Sequence, residues 1–358
     1  MGLSNIASNA EGQALPQIRN PKSEIRNHFA AIALIILVVF LIGFHDGGRR
    51  DLLNSLENGF ALTSHEFARD GHWLVPTQGG SPRTVKPPLP FWIAATADRL
   101  TSPLGVDPLV AMRAASVGMG AITAVFIYLL GCQMFDRRAG LFAALVWATC
   151  MQSAMELRYA RHDIYLVAFC AVAMLGVWRA WRHQRFGWTI TAIGLILAFQ
   201  AKGPISWALV VLPAIIWALM HRPIRWRYIA AMIGLMLLAG VLLLPWLVAF
   251  QHAIGEDKWY AFWWEGFARF RSDKAPKDIE PWFYVQYFAA MMPWSIYFIA
   301  TLITPFEKRF GDREQREPMK FLWLNVVVGL IFLTLPRDKA ERYEVPLMAC
   351  SALLIGHL

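Results

Sequence analysis

The sequence predicts an all-α polytopic membrane protein, and three observations carry that expectation. Of its 358 residues, 57% are hydrophobic and only 16% are charged, a balance that a soluble domain of this size does not tolerate. Its mean hydropathy is positive. The apolar residues also arrive in near-continuous blocks, the pattern that a chain of membrane-crossing helices requires.

Taken in order, the blocks run from Phe29 to Phe44, Leu109 to Leu130, Ala139 to Cys150, Tyr165 to Trp178 and Ile190 to Gln200. They continue from Ile205 to Met220, Ile229 to Phe250, Tyr284 to Ile303, Phe321 to Leu335 and Val345 to Leu358. A bilayer core takes roughly 20 residues of helix, and with flanking residues included the blocks amount to about ten spans. The first follows a polar tail and lacks cleavage-site chemistry after it, so it reads as a retained signal anchor. Residues 1–28 are therefore expected to form a cytoplasmic N-terminal tail, and 29–358 one transmembrane domain that includes an extracytoplasmic loop over 45–107.

The net charge of +9 does not point to a nucleic acid, because the basic residues sit in short loops between apolar blocks and not on one soluble face. The four cysteines, Cys132, Cys150, Cys170 and Cys350, lie in or beside spans and give no disulfide framework. Cytoplasmic loops carry an excess of Lys and Arg. With the N-terminus inside, the loops at Arg137-Arg138, Arg179 to Arg185, Arg222 to Arg227 and Lys308 to Lys320 fall on that side, and all are basic.

The opposite side receives His45 to about Asp107, Glu156 to Asp163, Lys202-Gly203-Pro204, Gln251 to Trp282, and Pro336 to Glu344. Charges near a span are costly and rarely persist without a partner or a role. Five such segments on one side point to a shared site. In the first of them, Leu52, Leu53, Leu56, Phe60, Thr63 and Phe67 recur at spacings of three or four. That spacing predicts an amphipathic helix from Arg50 to Arg69 lying along the membrane surface. Arg50, Asn54, Glu57, Asn58 and His65 make its polar face, turned to a cavity, and Asp70-Gly71 stops it. The block Val85-Lys86-Pro87-Pro88-Leu89-Pro90-Phe91-Trp92 then reads as a stiff extended stretch that fixes Lys86, with Trp92 as an interfacial anchor.

His72 to Pro76 and Lys86 to Trp92 carry a resemblance to a known family. Phe135 to Gly140, Arg158 to Asp163, Ala198 to Pro204, Glu265 to Phe270, Met291 to Trp294 and Lys339 to Pro346 extend it. In these motifs, from about Ala30 onward, the chain resembles the GT-C glycosyltransferases of the aminoarabinose-transferase and dolichyl-phosphate-mannose–protein mannosyltransferase group. The resemblance implies transfer of a sugar from a polyprenyl-phosphate donor to a hydroxyl acceptor on a lipid, glycan or protein, with inversion. It further implies an integral protein of the cell (inner) membrane, in contact with membrane lipids and with its site on the extracytoplasmic side. In the family the first outer helix usually opens with an acidic pair, which falls here on Leu56 and Glu57. Gly59 stands where an arginine is common, and Val85 where many members have Glu.

Such transfer needs a base for the acceptor proton, cations for the phosphate, and alignment of the reacting groups. Glu57 and Asp163 are the catalytic candidates, Asp163 by its match to the acid of the family's second outer loop. Asp163 also suits a helix N-terminus, where a carboxylate simply favours the dipole. Lys86, Lys202 and Lys339 are the phosphate-binding candidates. For Lys202 the neighbouring Gly203-Pro204 ends the helix and frees the side chain for a cavity, against the commoner alternative of snorkelling. Tyr343, by motif position, adds a hydrogen bond to the phosphate. Arg269 binds the donor or pairs with Glu265 one helical turn away. The nine histidines show no paired zinc spacing, and no nucleotide cradle is visible. The residues fix no cofactor, and a divalent metal ion held loosely on carboxylates is the alternative. Two other readings are kept: a transporter of lipid or lipid-linked sugar, whose repeats and broken mid-membrane helices are not evident, and a family relative without turnover.

Overall fold

The computed structural model describes residues 21–45, 55–271, 282–310, 312–336 and 341–358, with no account of side chains at 21–24, 265–271, 282–284, 310, 313, 315 and 341. The chain folds as α1 (Pro21–Phe44), α2 (Ser55–Asp70), a two-residue hairpin of β1 (Thr77–Gln78) and β2 (Ser81–Pro82), α3 (Leu89–Thr101) and α4 (Pro108–Met134). Then come α5 (Arg137–Thr149), α6 (Met151–Leu157), α7 (His162–Trp181), α8 (Gly187–Lys202), α9 (Ile205–Met220) and α10 (Trp226–Ile254). The last are α11 (Glu256–Arg271), α12 (Trp282–Ala290), α13 (Ser295–Thr301), α14 (Arg313–Thr334) and α15 (Val345–His357). The all-α polytopic expectation holds.

The helix ends follow local chemistry. Asp107 caps α4 by accepting from the amides of Leu109 (2.9 Å) and Val110 (3.2 Å), with Pro108 at the first helical position, where its missing N–H costs nothing. Asp136 caps α5 through the Ala139 amide at 2.9 Å. Gly203, at φ +78, closes α8 in a backbone conformation that glycine alone adopts cheaply.

Among the described residues, five helices are long and apolar enough to cross a membrane: α1 from Ile25, α4, α7, α10, and α14 from Arg316. The bent pair α5 and α6 makes a sixth if taken as one span. Ile205–Met220 and Ser295–Phe306 are shorter apolar stretches, so helix length alone gives fewer crossings than the ten apolar blocks. Two blocks also change shape. The run from Tyr284 to Ile303 is divided between α12 and α13, with Pro293 in the interruption, where it removes a donor. The run ending at Cys150 turns by 71° into α6, whose first amide, Met151 N–H, donates to the Met292 carbonyl at 2.8 Å.

α7 is the central helix, with nearly every side chain buried. It packs on α8 so closely that a Cβ on Gly194 would lie 2.5 Å from the Ala173 nitrogen, and one on Gly176 would lie 2.3 Å from the Thr191 nitrogen. Gly131 of α4 meets Gly140 of α5 in the same way, at 2.4 Å. Small residues at helix crossings allow dispersion contacts that a lipid environment does not otherwise drive. α10 is the opposite case: Ile233, Leu237, Leu238, Val241, Leu242 and Leu244 are all exposed, a continuous apolar face suited to lipid.

The first outer loop corrects three expectations. α2 begins at Ser55, and Arg50 to Asn54 lie outside the described residues. Its stop at Gly71, φ +72, is as read. The face assignment differs: Glu57 is fully buried beside Phe60, Thr63 and Phe67, whereas Leu56 is 41% exposed. Packing decides this, because Phe60 and Phe67 both seat against Phe91 of α3, at centroid distances of 5.2 and 6.0 Å. The proline block does not stay extended either. Pro88 has φ −85 and ψ −15, and Pro90 stands in the first turn of α3, a position that tolerates proline. Trp92 donates its indole N–H to the Trp73 carbonyl at 2.6 Å, so it fastens the loop and does not act as a free interfacial anchor.

Candidate functional site

Asp163 stands in the first turn of α7, and Lys202 is the last residue of α8. Because α8 runs antiparallel to α7 in a tight hairpin, the open ends of the two helices meet. The Lys202 ammonium donates to Asp163 Oδ1, and the side chains are only 7% and 8% exposed. Arg342 approaches Asp163 Oδ2 at 3.7 Å. The Tyr343 ring receives Lys202 Nζ at 4.5 Å from its centroid and the Arg342 guanidinium at 5.1 Å. Three of the seven predicted residues therefore converge, from segments 39 residues apart and more. Lys202 does not snorkel.

His162 is held edge-on between Phe60 (4.9 Å) and Phe91 (4.6 Å). Lys86, half-buried, comes three residues before α3, whose Phe91 packs on His162. Glu57 is elsewhere. Its Oε1 accepts from Arg113 Nε at 2.9 Å and from the Ala160 amide at 2.9 Å, and its Oε2 accepts from Arg113 Nη2 at 3.0 Å. Such a fork fixes geometry strongly, and it presents Glu57 as a clamp between α2, α4 and the segment before α7, not as a carboxylate facing a cavity. Lys339 lies outside the described residues, as does the Arg269 side chain with its expected Glu265 pairing.

Several charged groups escaped the sequence reading. Arg113 is buried within an apolar span, and a lone arginine there is itself a signal of a partner. Arg342 sits beside the predicted Tyr343. Glu156, 1% exposed, accepts at Oε1 from Gln152 (3.3 Å) and Arg161 (3.4 Å), while its Oε2 has no hydrogen-bond partner among the described residues. Among the described residues no group of three or more His, Cys, Asp or Glu side chains is placed to hold a metal ion. An apolar crevice lined by Phe126, Cys170, Leu209, Asn325, Leu347 and Leu353 opens further along α7. None of the ion-pairing groups named above lines it.

The arrangement can do two things. A buried carboxylate paired with an ammonium can take up a proton once the cation is drawn to another anion, and adjacent cations can hold growing negative charge on a phosphate.

The profile of the dolichyl-phosphate-mannose-protein mannosyltransferase family matches residues 85–249. An undecaprenyl phosphate-alpha-4-amino-4-deoxy-L-arabinose arabinosyl transferase of Pseudomonas aeruginosa is 30% identical over 310 residues, covering 84% of this chain and 54% of that protein. A like-named transferase 1 of Pseudomonas fluorescens is 28% identical over 308 residues, with the same coverage of 84% and 54%. The chain thus spans about half the length of the curated relatives it matches. In structure it resembles ArnT from Cupriavidus metallidurans bound to undecaprenyl phosphate, with TM-score 0.73 and 18% identity over 94% of this chain and 60% of that one. It also resembles the archaeal oligosaccharyltransferase AglB from Archaeoglobus fulgidus, with TM-score 0.56 and 13% identity over 93% of this chain and 50% of that one. In sequence and in fold the chain is thus similar to the GT-C group of membrane proteins that holds the aminoarabinose transferases and the dolichyl-phosphate-mannose–protein mannosyltransferases.

Proposed function

We propose that the chain transfers a sugar from a polyprenyl-phosphate donor to a hydroxyl of a lipid, glycan or protein, with inversion, on the extracytoplasmic side of the inner membrane. The observation that carries the reading is the buried cluster of Asp163, Lys202, Tyr343 and Arg342. Its similarity to a transferase named for undecaprenyl phosphate supports the donor class, and the basic loops opposite this cluster support its sidedness.

In this mechanism the donor phosphate competes with Asp163 for Lys202. As Lys202 and Arg342 turn to the phosphate oxygens, Asp163 is left a carboxylate able to accept a proton. The acceptor oxygen attacks the anomeric carbon in line, its proton passes to Asp163, and the carbon–oxygen bond to phosphate breaks. Polyprenyl phosphate leaves with the electron pair, held by the lysines, so no acid is needed to protonate it. Asp163 takes this role because Leu56 brings no carboxylate and Glu57 is committed to Arg113.

Membranes containing the full chain and a labelled polyprenyl-phosphate sugar test this. Asp163→Asn and Lys202→Ala should each lower transfer by about 10²- to 10⁴-fold, and undiminished transfer by both variants would exclude the assignment. Leu56, 41% exposed where relatives commonly carry an acid, favours a second reading, that of a lipid-phosphate-binding relative without turnover. Saturable donor binding with no product for any acceptor would select it.

A further inference from the structure

Arg83 follows the β1–β2 hairpin, its amide bonded to the Pro76 carbonyl at 2.7 Å. Its guanidinium reaches α2. Nη1 donates to the Gly59 carbonyl at 2.5 Å and to Thr63 Oγ1 at 3.2 Å, and the guanidinium carbon stands 5.5 Å from the Phe91 ring centroid. The absence of a side chain at Gly59 makes room for it: a Cβ there would sit 3.0 Å from Nη1 and 3.5 Å from Nη2.

The partners of this cation are unusual for the region. Arg113 pairs with Glu57, Lys202 and Arg342 with Asp163, and Arg161 with Glu156. Arg83 meets two neutral oxygens and, among the described residues, no carboxylate. It is nevertheless partly buried, and desolvation pulls its pKa down from the ordinary value, although a guanidinium in a protein stays protonated. With five N–H donors in a planar fork, a desolvated arginine lacking a counter-charge is suited to an oxyanion of matching geometry. The position is right for one. The Phe91 ring that carries Arg83 also packs on His162 at 4.6 Å, next to Asp163, and Lys86 is three residues along.

We propose that Arg83 is a phosphate-binding residue, which together with Lys86 grips the phosphate of a lipid-linked donor, and that Gly59 exists to seat it. The inference rests on the lipid-phosphate reading above. The guanidinium supplies paired donors to two phosphate oxygens, and the lysine supplies a point charge.

The test is equilibrium binding of a short-chain polyprenyl phosphate to the purified full chain in detergent, with inorganic phosphate and the matching polyprenol as parallel arms. Arg83→Gln should weaken polyprenyl phosphate binding by about ten- to a hundredfold, the size expected for a lost charged hydrogen bond, and Arg83→Lys should restore part of it. Gly59→Ala, which keeps the charge but displaces it, should also weaken binding. Polyprenol binding should not respond to any of the three. Competition by inorganic phosphate that Arg83→Gln abolishes would make the phosphate itself sufficient; its absence would make the lipid chain a required part of the ligand. Wild-type affinity in all three variants would overturn the role of Arg83 alone. A wild-type chain that binds no polyprenyl phosphate would overturn the donor reading, and this inference with it.

Discussion

Breaking the Glu57–Arg113 pair separates two roles for Glu57. The side chains are 0% and 3% exposed, so solvent screening does little for either charge. Three hydrogen bonds end on the carboxylate, two from Arg113 and one from the Ala160 amide. Glu57→Ala leaves a guanidinium inside the protein and an orphaned amide. Removing one partner of a buried pair typically costs about 3–5 kcal/mol, a large share of the net stability of a folded domain. Replacing both partners by apolar residues, as in Glu57→Leu with Arg113→Met, removes the guanidinium along with the carboxylate and should recover much of that loss. The measurement is chemical unfolding of the two singles and the double in detergent, read as a double-mutant cycle. A Glu57→Ala variant within about 1 kcal/mol of wild type would contradict the buried-pair argument. Normal stability joined to lost sugar transfer in Glu57→Gln would return Glu57 to the role of general base.

Two further outcomes follow from the packing and the outer loop. Gly194→Val should drive α7 and α8 apart, since even its Cβ would lie 2.5 Å from the Ala173 nitrogen. Thermal melting should show a loss on the order of 1–3 kcal/mol or more, with transfer lost as well because the Lys202–Asp163 contact sits at the ends of these helices. Glu66 accepts from Thr77 Oγ1 and from the amides of Gly79 and Gly80. Burial pushes its pKa up, but these hydrogen bonds outweigh it, and the net shift is downward from 4.5. Its contribution to stability is thus complete above the unfolded-state pKa and disappears as pH falls through the lower folded value. Glu66→Gln should flatten that acid limb of the stability–pH curve, and an unchanged limb would count against the hairpin being fastened this way.

What the sequence determined by itself was the class of molecule and the punctuation of its helices. Blocks of apolar residues demand lipid or a protein core whatever their partners, and Gly71, Gly203 and Pro108 act on the backbone within a turn of themselves. Lys202 was legible for the same local reason, since Gly203 ends its helix beside it. Asp163 and Tyr343 were found through motif position.

Tertiary structure decided which charges meet. Periodicity put Glu57 on a polar face, yet the aromatic contacts of Phe60 and Phe67 with Phe91 rotate α2 so that Glu57 turns inward to Arg113, 56 residues away. No local rule contains that partner. The placement of Arg83 over Gly59 depends likewise on a hairpin folding back across a helix 24 residues earlier. Charge pairing over such separations is fixed by packing, because the cost of burying a charge is decided by what the rest of the chain brings beside it.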